Sequence, residues 1–152
     1  MKFKEKLILW TAMGGGLGRI PRVPGTFGTL GAIPFIILFE RFAQGWATIG
    51  VVALMIVSIW ICDRAEAIIG SKDPGCIVLD EVAGYTVAMA GMPVTFSTLA
   101  AGFILFRFFD IVKPGPVRYF ERRFIGGPGI VLDDIVAGLL SAVVLRILFK
   151  LM

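Results

Sequence analysis

A chain of 152 residues with 57% hydrophobic and 17% charged side chains, and a mean hydropathy of +0.89, lies well outside the composition of soluble domains. The length predicts one domain over residues 1–152, and the composition excludes a charge-coated soluble enzyme in favour of an all-α, polytopic membrane helical bundle. A net charge of +4 suits an anionic lipid bilayer as partner, with no nucleic acid expected.

The first 27 residues open with a basic, partly amphipathic stretch, KFKEKLILWTAM, followed by GGGLGRIPRVPGTFGT. Its glycines and prolines rule out a regular span, and no small-residue cleavage site marks a secretory signal. Residues 28–42 and 46–62 read as helices separated by a turn at Ala43, Gln44 and Gly45. The first is short for a perpendicular span; the second is marginal. A polar loop is expected from Asp63 to Glu81.

Residues 82–106 admit two readings, a single span or a hairpin broken at Gly91, Met92 and Pro93, with Thr95 or Ser97 capping the second helix. The hairpin gathers nearly all charges at one end; only Glu40, Arg41, Arg146 and Lys150 lie toward the other. The positive-inside rule makes the rich end cytoplasmic. Beyond the hairpin, PVRYFERRF (Pro116–Phe124) places Val117, Phe120 and Phe124 on one side of an interfacial amphipathic helix. A last helix is expected from about Leu132 to Lys150. IVLDEVAG (77–84) and IVLDDIVAG (130–138) both read as helix starts carrying a carboxylate pair.

One acid per helix start is explained by the macrodipole. Two adjacent acids twice over, Asp80 with Glu81 and Asp133 with Asp134, are not, and Asp110 at a helix C-terminus faces the wrong end of the dipole. Clustered hard oxygen ligands at a membrane surface suggest Mg²⁺, which binds a few carboxylates and leaves positions for a phosphate. The metal reading takes Asp80, Glu81, Asp110 and Asp134 as ligands, with Asp133 also in the catalytic set. Gly138, Ser141 and Ala142 continue the Asp134 side of the last helix as a small-residue stripe that would pack closely and draw its acids toward the others.

VPGTFGT (Val23–Thr29) reads as a glycine-rich turn whose backbone N–H groups and Thr26 and Thr29 hydroxyls suit a phosphate. Lys113 and Arg118 are further phosphate candidates. The chain has no histidine, neither Cys62 nor Cys76 opens a Cys-x5-Arg loop, and no Asp-x-Asp nucleophile occurs. Phosphoryl chemistry here is therefore expected to be metal-assisted attack of water. The rival from another class is a small helical cation transporter or channel using membrane-end carboxylates. A phosphatidyl-transfer enzyme is a further rival, but its Asp-Gly…Ala-Arg signature is lacking.

The set PGTFGTLGAIP, DPGCIVLDEVAG, FRFFDIVKPGPVRYFE and GGPGIVLDDIVAG, in that order from about Gly14 to Leu145, resembles the phosphatidylglycerophosphatase A family. The resemblance implies a Mg²⁺-dependent lipid phosphatase, multi-pass in the bacterial cytoplasmic membrane with its site facing the cytoplasm. Its substrate would be phosphatidylglycerophosphate, and its products phosphatidylglycerol and phosphate. Matching motifs carry over Thr26, Gly28, Asp73, Asp80, Glu81, Asp110, Lys113, Pro114, Asp133 and Asp134. Pro74 stands where some members carry histidine, so no histidine role transfers.

Overall fold

A computed structural model describes residues 2–151, and among them there is no β-strand. The helices are α1 (Phe3–Ala12), α2 (Pro24–Gly31), α3 (Ile33–Glu40), α4 (Gln44–Ile69), α5 (Leu79–Met89), α6 (Phe96–Val112), α7 (Gly115–Arg123) and α8 (Gly126–Leu151), with a 3₁₀ segment over Gly14–Arg19. The bundle is built around α5, in which every residue except Glu81 is buried. A helix that is apolar on all sides has to be wrapped by others. Here α8, α4, α6 and α2 do the wrapping.

The most extensive packing is between α5 and α8, and it is close. A Cβ on Gly138 would run into the Gly84 carbonyl oxygen, and one on Gly84 would lie 2.7 Å from the Asp134 carbonyl oxygen. Glycines at both positions let the backbones touch, as the small-residue stripe predicts. Gly84 lies one turn from Asp80, and Gly138 one turn from Asp134. The crossing that buries the glycines therefore brings the two acids face to face.

Residues 82–106 form the hairpin. Gly91 takes φ +72° in the turn, and Thr95 caps α6 by accepting a hydrogen bond from the Thr98 N–H at 3.2 Å. Such a cap stabilises by ~1 kcal/mol. Tyr85 fastens α5 to α6, donating its hydroxyl to the Leu99 carbonyl at 2.7 Å between the rings of Phe103 and Phe106. At the turn, Glu40 accepts from the Val94 N–H at 2.7 Å and Arg146 donates to the Ala90 carbonyl at 2.6 Å. Two of the charges expected at the far end thus fasten the hairpin tip, opposite the acids.

Four helix boundaries differ from expectation. The expected helix 28–42 is two, because Pro34 has no N–H for the turn before it, and the chain breaks at Ala32. Val23–Thr29 is not a loop leading into a helix: α2 already begins at Pro24, a residue suited to the first helical turn. The helix expected over 46–62 runs on through Asp63, Arg64 and Glu66 to Ile69, where Gly70 ends it in the left-handed conformation. Loss of hydropathy does not end a helix when good helix formers follow, here Arg64, Ala65, Glu66 and Ala67.

The last helix starts at Gly126 rather than Leu132. Pro128 fits its first turn, and Asp63 on α4 accepts from the Gly127 N–H at 3.1 Å. Asp133 and Asp134 therefore sit about two turns inside α8. The pair is not a helix-start pair like Asp80 and Glu81, and capping does not account for it.

Among the described residues, α4 is the one helix long and apolar enough to cross a membrane. Its Trp46, Ile49, Ile56 and Trp60 point outward, as do Ile104, Phe108 and Ile111 on α6.

Candidate active site

Asp80 and Glu81 enter the site from the first turn of α5, and Asp134 comes from α8 across the glycine crossing. One carboxylate oxygen from each lies within 4.8 Å of the others. Asp80 Oδ1, Glu81 Oε2 and Asp134 Oδ2 are buried without a hydrogen-bond partner, and so is Asp133 Oδ1. An orphaned buried acceptor costs ~1–3 kcal/mol, and more when charged. Three converging carboxylates also repel one another in a medium of low dielectric. The arrangement is unfavourable as it stands, and a hard divalent cation among those oxygens would resolve it. The donor set therefore fits Mg²⁺ or Mn²⁺, with Asp80, Glu81 and Asp134 as the residues that would hold it.

Asp110, from the last turns of α6, approaches this trio through Arg107. The Arg107 Nη1 donates to Asp110 Oδ2 at 2.6 Å and lies 3.7 Å from Glu81 Oε1. That guanidinium is the partner an acid at a helix C-terminus requires. The glycine face of α2 closes the other side. A Cβ on Gly25 would strike Glu81 Oε1, and one on Gly28 would lie 3.1 Å from Glu81 Oε2. PGTFGT is thus pressed against the acids, with Thr26 partly exposed on the same short helix. Thr29 is different: it is fully buried and donates its hydroxyl to the Gly25 carbonyl at 2.8 Å, so it stiffens α2 from within.

Asp133 faces a separate cation. Lys113 ends α6 in the left-handed conformation, φ +48°, and sets its Nζ 2.7 Å from Asp133 Oδ2 and 2.8 Å from Glu121 Oε1 on α7. Burial acts against the charged ammonium, but the two carboxylates outweigh it and raise the Lys113 pKa above the ordinary lysine value of 10.5. Lys113 is thus a fixed positive charge pinning α6, α7 and α8 together.

Asp73 lies in the exposed loop before α5, where its own N–H donates to Glu66 Oε1 at 2.9 Å. It lines a cleft of about 560 Å³ with Glu66, Lys72, Glu121 and Arg122. Arg118 sits on the outward side of α7 in a shallow basic hollow with Arg122 and Arg123. Three participants were not singled out from sequence: Arg107, Glu121 and Asp63. Arg107 carried a signal in its i, i+3 spacing to Asp110. The partners of Glu121 and Asp63 are distant in the chain and leave no local trace.

The family model described as phosphatidylglycerophosphatase A matches residues 10–149. The chain is 39% identical over 135 residues to the phosphatidylglycerophosphatase A of Escherichia coli, covering 88% of this chain and 78% of that one. It is 36% identical to the protein of that name from Haemophilus influenzae, covering 88% and 83%. A Bacteroides thetaiotaomicron protein provisionally named a phosphatidylinositol-3-phosphatase is 35% identical over 97% of this chain and 96% of its own length. No solved structure matches.

Proposed function

Because the chain belongs to the phosphatidylglycerophosphatase A family, we infer that it hydrolyses the terminal phosphomonoester of phosphatidylglycerophosphate, giving phosphatidylglycerol and phosphate. The family supplies the substrate. The observation that carries the chemistry is the set of orphaned carboxylate oxygens on Asp80, Glu81 and Asp134. When bound there, Mg²⁺ neutralises phosphoryl charge and lowers the pKa of water. Asp80, Glu81 and Asp134 would hold it; Lys113 keeps Asp133 in place. The first turn of α2, with the Thr26 hydroxyl, offers the donors for phosphate oxygens. The far side of the trio is closed by the Gly84–Gly138 contact and by buried Tyr85, Phe106 and Leu145. A closed floor suits a reaction site better than an ion conduit.

The bilayer reading rests on α4 and on the apolar residues it and α6 turn outward. In it the bundle is multi-pass in the cytoplasmic membrane, the acid end faces the cytoplasm, and α5 and α6 are a hairpin too short for two full spans. At about 1.5 Å per residue α5 reaches about 16 Å, against a hydrocarbon core of about 30 Å. Single cysteines at positions 72 and 113, in a background lacking Cys62 and Cys76, should both resist a membrane-impermeant label applied from outside. Labelling at one of the two positions alone breaks this topology.

A lipid substrate follows from the same placement. Acyl chains stay in the bilayer while the phosphate reaches acids at headgroup depth beside the basic, aromatic face of α7. The test compares kcat/KM for phosphatidylglycerophosphate, phosphatidic acid, phosphatidylinositol 3-phosphate and soluble glycerol phosphate in matched micelles. The first should be preferred by at least about tenfold, which is ~1.4 kcal/mol of discrimination. Equal hydrolysis of soluble glycerol phosphate would sink the interfacial site, and preference for the inositol lipid would reassign the substrate.

A further inference from the structure

The geometry points to Arg107 as the group that grips the transferred phosphate, oriented by Asp110, so that Asp110 is a positioning residue and not a metal ligand. The inference rests on the phosphatase reading above and assigns a role to a residue that reading leaves idle. A guanidinium carries five N–H donors. Among the described residues, Arg107 donates one hydrogen bond, from Nη1 to Asp110 Oδ2 at 2.6 Å. Nη1 is also 3.7 Å from Glu81 Oε1, a member of the acid trio. The remaining donors have no acceptor among the described residues, although the side chain is only 19% exposed.

The guanidinium packs against the first turn of α2. A Cβ on Gly25 would lie 3.0 Å from Nη1 and 3.2 Å from Nη2, and would collide with Glu81 Oε1. Gly25 is thus without a side chain at the point where a cation, a trio carboxylate and the first turn of α2 meet. Asp110 Oδ2, by contrast, already accepts a short charge-assisted bond, of the kind that fixes a guanidinium plane. A planar fork held beside carboxylates that would carry a metal suits phosphoryl oxygens bridging the two. As negative charge gathers on those oxygens, the fork stabilises it without having to reorganise.

The test uses the full chain in detergent micelles, with Mn²⁺ as the metal probe and inorganic phosphate as the ligand probe, each measured by equilibrium binding as well as by inhibition. Arg107→Gln and Arg107→Lys should each weaken phosphate binding by at least tenfold while Mn²⁺ affinity stays within about threefold of the parent. The lysine variant keeps the charge but loses the fork, and it guards against the glutamine variant failing to fold. Asp110→Asn should weaken phosphate but not Mn²⁺, and Asp110→Glu, which can still hold the guanidinium, should recover most of the loss. If Asp110→Asn weakens Mn²⁺ as strongly as Asp134→Asn does, Asp110 is a ligand and the proposal is wrong. Phosphate binding within threefold of the parent in both Arg107 variants overturns it too. A parent that binds Mn²⁺ and phosphate with the expected variant pattern, yet releases phosphate from no lipid, overturns the phosphatase reading and leaves the clamp standing; a parent that binds neither probe overturns both.

Discussion

Asp134→Asn is expected to lower turnover by at least ~10²-fold, the scale for losing one strong electrostatic contributor, while the protein stays folded. The side chain is nearly isosteric and sits 4% exposed where α8 meets α5, so little packing is lost. What is lost is one of three carboxylates whose oxygens converge within 4.8 Å. Asp80→Asn and Glu81→Gln should behave alike, and a chelator should arrest the parent until Mg²⁺ or Mn²⁺ is restored. Thermal melting separates this from simple damage. Without metal, removing a charge from a crowded buried trio should leave Tm unchanged or higher, because like-charge repulsion is relieved. With metal added, the parent should rise in Tm and the variant should not, since only a ligand that binds the native state stabilises it. Full activity in chelator, or Asp134→Asn turning over at the parental rate, would end the metal hypothesis.

Gly138→Val should cost as much activity from a position that bears no chemical group. Its Cβ would enter the Gly84 carbonyl, which is backbone inside a buried helix and cannot swing aside as a side-chain end can. Relief comes from spreading α5 away from α8. Overpacking of this kind costs ~1–3 kcal/mol, and occasionally more. The same displacement parts Asp80 from Asp134, each one turn from its glycine, and a misplacement of about 1 Å can cost 10²-fold in rate. The matched control is Gly45→Ala, where an added Cβ meets nothing within 4 Å and helix propensity gains slightly. The control should keep parental activity and Tm. A Gly138→Val protein as active as the parent would show that the crossing does not set the site.

Much of the site was legible because its residues announce themselves by cost. Carboxylate pairs at Asp80–Glu81 and Asp133–Asp134 in so apolar a chain demand an explanation from sequence alone, and the hairpin break at Gly91–Pro93 follows from backbone chemistry that needs no partner. Motif order carried the family, and the small-residue stripe at Gly138 foretold a close helix contact. Tertiary structure alone decided the rest. Asp63 caps α8 from α4, so that helix starts six residues early and its acids leave the first turn. Thr29 turns inward to its own helix while Gly25 and Gly28 face Glu81. Asp133 goes to Lys113, and Glu121 joins them from α7, a set spanning three helices that leaves no local trace in the sequence. Local propensity and residue cost are written along the chain, but which cation meets which carboxylate depends on helix rotation and crossing. Those are set by side-chain volumes from segments far apart in sequence, and here above all by two glycines on different helices.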